Sequence, residues 1–197
     1  MSSLFKFLIV LAITLAFLSY LFLDKTLAAY FSTNPQSIEI IFSYITTLGL
    51  SQYYLIPSFL LFLIFIKKNN AISKASLFIF LSVSISGILS IVIKMIFARY
   101  RPYMLFGGDH LYGFSWFDYG YLVNSFPSGH TTTAFSAFVG FCFLFPRYKI
   151  LFLLLATLIA FSRVVLDVHY LSDVIMGALL GTLTTYFLYI KLYKENM

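Results

Sequence analysis

The sequence predicts an all-α integral membrane protein: six membrane-spanning helices forming a single domain over residues 1–197. Three observations predict it. Hydrophobic residues make up 61% of the chain and charged residues only 10%, with a mean hydropathy of +0.94, unlike a soluble domain of this size. The apolar residues fall into runs close to the ~20 residues that carry a helix across a hydrocarbon core. The basic residues between those runs sort to alternating sides.

In chain order the expected spans are Leu4–Leu23, Gln52–Ile66, Ala75–Phe97, Ser128–Phe145, Ile150–Leu166 and Leu171–Leu192. The first has a signal-peptide look, with Lys6 ahead of it and Leu27-Ala28-Ala29 after it. Its apolar stretch exceeds the ~7–15 residues of a signal-peptide core, so a retained helix is expected. The second is the shortest. The neighbouring stretch Ile38–Leu50 carries Glu39 and suits an interfacial helix. Short turns at 67–70 and 146–149 join neighbours, and the long connection is Ala98–Phe126. Connections this long usually carry function or are disordered. Its aromatics, Tyr112, Trp116, Phe117, Tyr119 and Tyr121, suit a membrane–water boundary. The loop pair Asp109 and His110 reads as solvent-facing.

The net charge of +6 says little about nucleic acid, and none is expected as a partner; its distribution says more. With the N-terminus in the cytoplasm, Lys6, Lys67, Lys68, Lys74, Arg147, Lys149, Lys191 and Lys194 lie inside, eight of thirteen basic residues. Both termini then face the cytoplasm. The single Cys142, in the fourth span, excludes an intrachain disulfide and reads as a small apolar residue.

Three polar clusters interrupt the apolar pattern, and this topology sends all three to the outer side. Charge in or beside apolar segments is costly and marks function by default. In the first, Lys94 and Arg101 are seven residues apart, sharing a helical face if the helix persists. Pro102 is expected to end that helix at Arg101. Headgroup anchoring is the competing role for these cations. In the second, Pro127 suits the first position of a helix. The amides of Ser128, Gly129 and His130 would then form an anion site, with the Ser128 hydroxyl as a further donor. In the third, His169 and Asp173 are four apart, so a helix would let the carboxylate hold one imidazole nitrogen as N–H and free the other as nucleophile or base. Arg163 adds a planar fork of donors suited to phosphate oxygens. Tyr170, Ser172 and Asp167 read as loop and cap residues.

These groups suit phosphoryl transfer, which needs mainly positioning and charge stabilisation. Lys94, Arg101 and Arg163 with the Ser128–Gly129 amides would surround the phosphoryl oxygens. His169 would attack phosphorus, His130 would protonate the leaving oxygen and then activate water, and Asp173 would orient His169. No cofactor is expected, and no metal, because the cations supply the charge.

The pattern Lys94-x6-Arg101-Pro102, Pro127-Ser128-Gly129-His130, Ser162-Arg163-x5-His169-x3-Asp173 resembles the type 2 phosphatidic acid phosphatase (PAP2) superfamily, with every motif position filled over about 80 residues. The resemblance implies a PAP2-type core at 94–173, a metal-independent lipid phosphatase, His169 as nucleophile and His130 as acid and base. It implies a membrane lipid phosphate as substrate: undecaprenyl pyrophosphate or phosphatidylglycerophosphate first, lipid A phosphate close behind. The expected location is a bacterial inner membrane with the site facing outward. A lipid phosphotransferase would use the same site. A non-catalytic transporter or lipid-binding protein would instead spread polar residues over several helices near the midplane.

Overall fold

A computed structural model describes residues 3–33, 38–107, 110–118 and 120–194. Gly108, Asp109 and Tyr119 of the long connection lie outside the described residues. Helices dominate: α1 (Ser3–Leu18), α2 (Asp24–Thr33), α3 (Ile38–Thr47), α4 (Gln52–Phe65), α5 (Asn70–Phe97), α6 (Pro102–Phe106), α7 (Gly129–Leu144), α8 (Lys149–Val165) and α9 (Leu171–Tyr189). Among the described residues there is no strand, only an isolated bridge between Arg99 and Phe114. The protein is a multi-pass membrane protein: among the described residues, five helical stretches are long and apolar enough to cross a bilayer.

The spans differ from expectation in instructive ways. The first runs through a π-helical turn at Ser19–Leu23 into α2, so the stretch Ser3–Thr33 has 31 residues and Leu27-Ala28-Ala29 lies inside α2. Stretch Glu39–Phe65 is 27 residues long, so α3 continues into α4 through a turn instead of standing apart. The expected fourth span is α7, with 16 residues. At 1.5 Å per residue that is about 24 Å, short of a ~30 Å hydrocarbon core. The count of six full-length spans therefore reduces to five plus this shorter helix.

The short helix is the hub. α7 packs on α5, α8 and α9, while α1 flanks α9, α4 flanks α5 and α3 flanks α8. Its buried residues are mostly small: Thr131, Thr132, Thr133, Ala134, Ser136, Ala137 and Gly140. Small residues let backbones approach where lipid offers no hydrophobic drive between helices. The approach to α9 is closest at its glycines: a Cβ at Gly177 would lie 2.7 Å from the Ser128 carbonyl oxygen, and one at Gly181 2.5 Å from that of Thr132. Across the other side the Ser136 hydroxyl donates to Ser86 of α5 at 2.6 Å. α5 is capped by Asn69, whose side chain accepts from Ala71 N–H at 3.0 Å and Ile72 N–H at 3.1 Å. The bundle thus brings the C-terminal ends of α5 and α8 and the N-terminal ends of α7 and α9 to one end.

Candidate active site

α5 stops at Phe97, four residues before Arg101, because Ala98 turns into the left-handed region (φ 44°). Lys94 and Arg101 therefore do not share a helical face. Arg101 is extended (ψ 159°), as a residue before proline should be, and Pro102 opens α6. Arg101 is instead aimed by its own bonds: Nε donates to the Tyr121 carbonyl at 2.8 Å and Nη1 to the Val168 carbonyl at 3.3 Å, beside His169. Lys94 Nζ donates to the Asn124 carbonyl at 2.6 Å. The side chain of Lys94 also passes close to Gly129: a Cβ there would lie 3.9 Å from Lys94 Cε.

At the start of α7, Ser128 is the cap residue and Pro127 precedes it, two positions before the first helical residue, Gly129. The Ser128 N–H donates to the Asp173 carbonyl at 3.1 Å, so this amide is occupied within the protein. The Ser128 side chain is buried and its hydroxyl accepts from Thr131 at 3.0 Å. The amides of Gly129 and His130, in the first turn of α7, remain as the anion-facing part of the expected cradle.

His169 precedes α9, and Asp173 is in that helix's first turn, where its Oδ2 accepts from the Tyr170 N–H at 3.0 Å. The carboxylate Oδ2 is 3.8 Å from His169 Nδ1, an ion-pair distance and longer than a hydrogen bond. Ser125, which belongs to none of the motifs, lies between them: its hydroxyl donates to Asp173 Oδ2 at 2.6 Å and sits 3.4 Å from His169 Nδ1. Burial pushes the His169 imidazole down to about 3, against the pull of Asp173. The ring is therefore neutral near pH 7, and with Nδ1 turned to Asp173 and Ser125, Nε2 is the nitrogen left for chemistry.

The other imidazole, His130, lies within electrostatic reach of Arg163, Arg101 and Lys94. Its wall is the α3–α4 turn: a Cβ at Gly49 would lie 2.9 Å from His130 Cβ and Cδ2. The same segment steadies Arg163, whose Nη1 donates to the Thr46 hydroxyl at 2.5 Å. Thr46 and Gly49 belong to a span that carried no motif, and only packing brings them here.

The four cations at this end divide into two kinds. Lys94, Arg101 and Arg163 make no ion pair with any carboxylate among the described residues, and Arg163 Nε is buried without a partner. Arg99, by contrast, is fully buried between Asp24 at 2.8 Å and Asp173 at 2.5 Å. Burial alone would lower its pKa, but Asp173 and Asp24 outweigh that and hold the guanidinium firmly charged. Uncompensated cations with an orphaned donor describe a seat for an anion.

Away from this end, an apolar cavity of about 290 Å³ opens between α4, α5 and α7 near Tyr54, Pro57 and Phe141, and none of the residues above lines it. Among the described residues no three His, Cys, Asp or Glu side chains gather as a metal site. His110 is exposed, with Nδ1 3.2 Å from the Leu105 carbonyl.

A sequence profile of the PAP2 superfamily matches residues 75–197, which span every motif residue of this site. The chain belongs to the PAP2 superfamily. It is a membrane phosphatase of the PAP2 type. Similar PAP2 relatives include the lipid A 1-phosphatase of Rhizobium etli, 32% identical over 181 residues, covering 83% of this chain and 75% of the relative. The undecaprenyl-diphosphatase of Sulfolobus acidocaldarius is 33% identical over 132 residues, covering 66% of this chain and 60% of the relative. Two solved PAP2 structures share the fold. LpxE of Aquifex aeolicus has a TM-score of 0.62 at 25% identity, covering 84% of this chain and 94% of the other. A transmembrane PAP2-type phosphatidylglycerolphosphate phosphatase from Bacillus subtilis has a TM-score of 0.66 at 24% identity, covering 99% and 96%.

Proposed function

We propose that this PAP2 phosphatase hydrolyses a phosphate or pyrophosphate ester of a membrane lipid through a phosphohistidine intermediate, at the outer face of a bacterial inner membrane. The observation that carries the reading is the set of three unpaired cations, Lys94, Arg101 and Arg163, around two histidines in different settings. In the first step His169 Nε2 attacks phosphorus; the N–P bond forms as the bond to the lipid oxygen breaks, and His130 gives that oxygen its proton. In the second, His130 takes a proton from water, the water oxygen attacks phosphorus, the N–P bond breaks and inorganic phosphate leaves. Lys94, Arg101, Arg163 and the Gly129 and His130 amides hold the equatorial oxygens, and the Asp173 charge balances the imidazolium.

Among lipids, the phosphate of lipid A is the leading substrate. Its support is the long alignment with lipid A 1-phosphatases from two Rhizobium species, against the shorter alignment with the undecaprenyl-diphosphatase. The outward orientation rests on the lysines and arginines at 67–74 and 147–149, which sit at the end of the bundle opposite the site, as the positive-inside rule requires of a cytoplasmic face.

The test is phosphate release by the purified protein from lipid A, undecaprenyl diphosphate and phosphatidylglycerophosphate, with and without EDTA. Release that survives EDTA and is lost in His169→Ala is the expected outcome. Robust release by His169→Ala would overturn the nucleophile assignment. A C-terminal tag labelled from outside intact cells would overturn the orientation.

A further inference from the structure

We infer that Asp24, outside the three motifs, and Arg99, at an unassigned position within the first, are positioning residues for the nucleophile: a buried Asp24–Arg99–Asp173 relay ties the first membrane helix to the carboxylate that faces His169. The inference rests on His169 being the nucleophile, as proposed above.

The relay runs through both terminal nitrogens of Arg99, while its Nε is buried without a partner. Arg99 Nη1 donates to Asp173 Oδ1 at 2.5 Å and to the Ser172 hydroxyl at 2.6 Å. Its Nη2 donates to Asp24 Oδ2 at 2.8 Å. Asp24 Oδ1 accepts from the Ser19 hydroxyl at 2.8 Å and from the Ser172 N–H at 3.0 Å, and Oδ2 also accepts from the Ser172 hydroxyl. Asp24, Arg99 and Asp173 are each at most 1% exposed. The guanidinium carbon lies 4.3 Å from the Tyr170 ring centroid and 4.9 Å from that of Tyr20, so aromatic faces hold the cation where the carboxylates do not.

The consequence for His169 follows from where the two Asp173 oxygens go. Arg99 occupies Oδ1, leaving Oδ2 for Ser125, for the Tyr170 N–H and for the 3.8 Å approach to His169 Nδ1. Rotation of the carboxylate is thereby blocked, and the imidazole keeps its orientation. The charges also add up usefully. Two carboxylates and one guanidinium leave one net negative charge beside an imidazole that becomes positive when phosphorylated. Without Arg99, two carboxylates would be buried with no cation between them, which is costly. Asp24 lies outside residues 75–197 that match the PAP2 profile, whereas Arg99 and Asp173 lie within them.

The experiment compares wild type with Asp24→Asn, Arg99→Gln, Arg99→Lys and His169→Ala, purified in detergent, on the best substrate of the lipid panel. Melting temperature is read beside kcat and KM. Asp24→Asn keeps the size and the acceptor oxygen and is the deciding variant if Arg99→Gln does not fold. The expected result is a kcat lowered about 10-fold or more in Asp24→Asn and about 100-fold in Arg99→Gln, with KM within about threefold of wild type, since partners of this kind typically contribute 10–100-fold. Arg99→Lys should recover part of the loss. A folded Asp24→Asn with wild-type kcat, or a loss carried by KM, overturns the relay. Activity surviving in His169→Ala overturns the nucleophile itself, so the two failures are told apart.

Discussion

The backbone N–H of Ser128 donates to the carbonyl oxygen of Asp173 at 3.1 Å, which stitches the first turn of α7 to the first turn of α9. The start of α7, proposed to cradle the phosphate, and the carboxylate beside His169, the proposed nucleophile, are therefore tied together. A change in the spacing of α7 and α9 must move both.

That spacing depends on two glycines. Gly177→Ala puts a methyl group 2.7 Å from the Ser128 carbonyl oxygen, and Gly181→Ala puts one 2.5 Å from that of Thr132. Backbone cannot step aside cheaply, so each substitution should cost about 1–3 kcal/mol. Thermal unfolding in detergent checks this. Gly177→Ala, next to the stitch, should also lower phosphatase activity; a variant as stable and active as wild type would contradict the close approach.

Gly49 offers a test of the site's wall. An alanine there would place its Cβ 2.9 Å from both Cβ and Cδ2 of His130, pushing the imidazole from its place. Misplacement by about 1 Å costs as much as 100-fold in rate. We expect Gly49→Ala to lower kcat by about 10–100-fold while the bundle still melts near the wild-type temperature, because the turn lies at one end of it.

Removing one unpaired cation should act on catalysis far more than on folding. Lys94→Gln deletes a donor that no carboxylate in the described structure neutralises. Single donors to a developing charge typically contribute 100–1,000-fold. The expected loss in kcat/KM is of that order. A fall below tenfold in steady-state kinetics would remove Lys94 from the phosphate seat.

Asp167 should make stability depend on pH in an unusual direction. Burial raises its carboxyl from the ordinary 3.8 to about 7, and nearby Glu39 adds to the shift. Between those values the unfolded chain is ionised while the folded one holds its proton. Folding is therefore increasingly disfavoured as pH rises from about 4 to about 7, and the loss is complete above that. Asn cannot ionise, and it tolerates the left-handed backbone of this position (φ 49°). Asp167→Asn should melt above wild type at pH 8 and level with it near pH 4. An equal gap at both pH values would assign the effect to something other than ionisation.

The three motif clusters were legible because each is local: a few residues apart, conspicuous as charge in apolar surroundings. A shared helical face does not pair Lys94 with Arg101. A continuous helix would have aligned them, but the left-handed turn at Ala98 ends α5, and bonds to the 121–124 segment and to Val168 aim the two cations instead. Arg99, an unassigned position of the first motif, sits at 0% exposure between two aspartates. One signal for its partner did exist: Asp24 is an acid closing the apolar first span, where charge demands a counter-ion. Nothing in the pattern marked Ser125, Thr46 or Gly49, which are ordinary residues made relevant by distance alone.

By itself the sequence determined that the chain spans a membrane, that its helices alternate sides, and that cations, two histidines and an aspartate meet at one end. Hydrophobic runs and local spacing carry that information directly. Only the tertiary structure decided which amides are free, which cations are neutralised, and that a 16-residue helix serves as the hub. Those outcomes depend on pairings such as Asp24 with Arg99, 75 residues apart, and Arg163 with Thr46, 117 residues apart. Periodicity along one helix holds no record of them, because they are set by how closely small residues let separate helices approach.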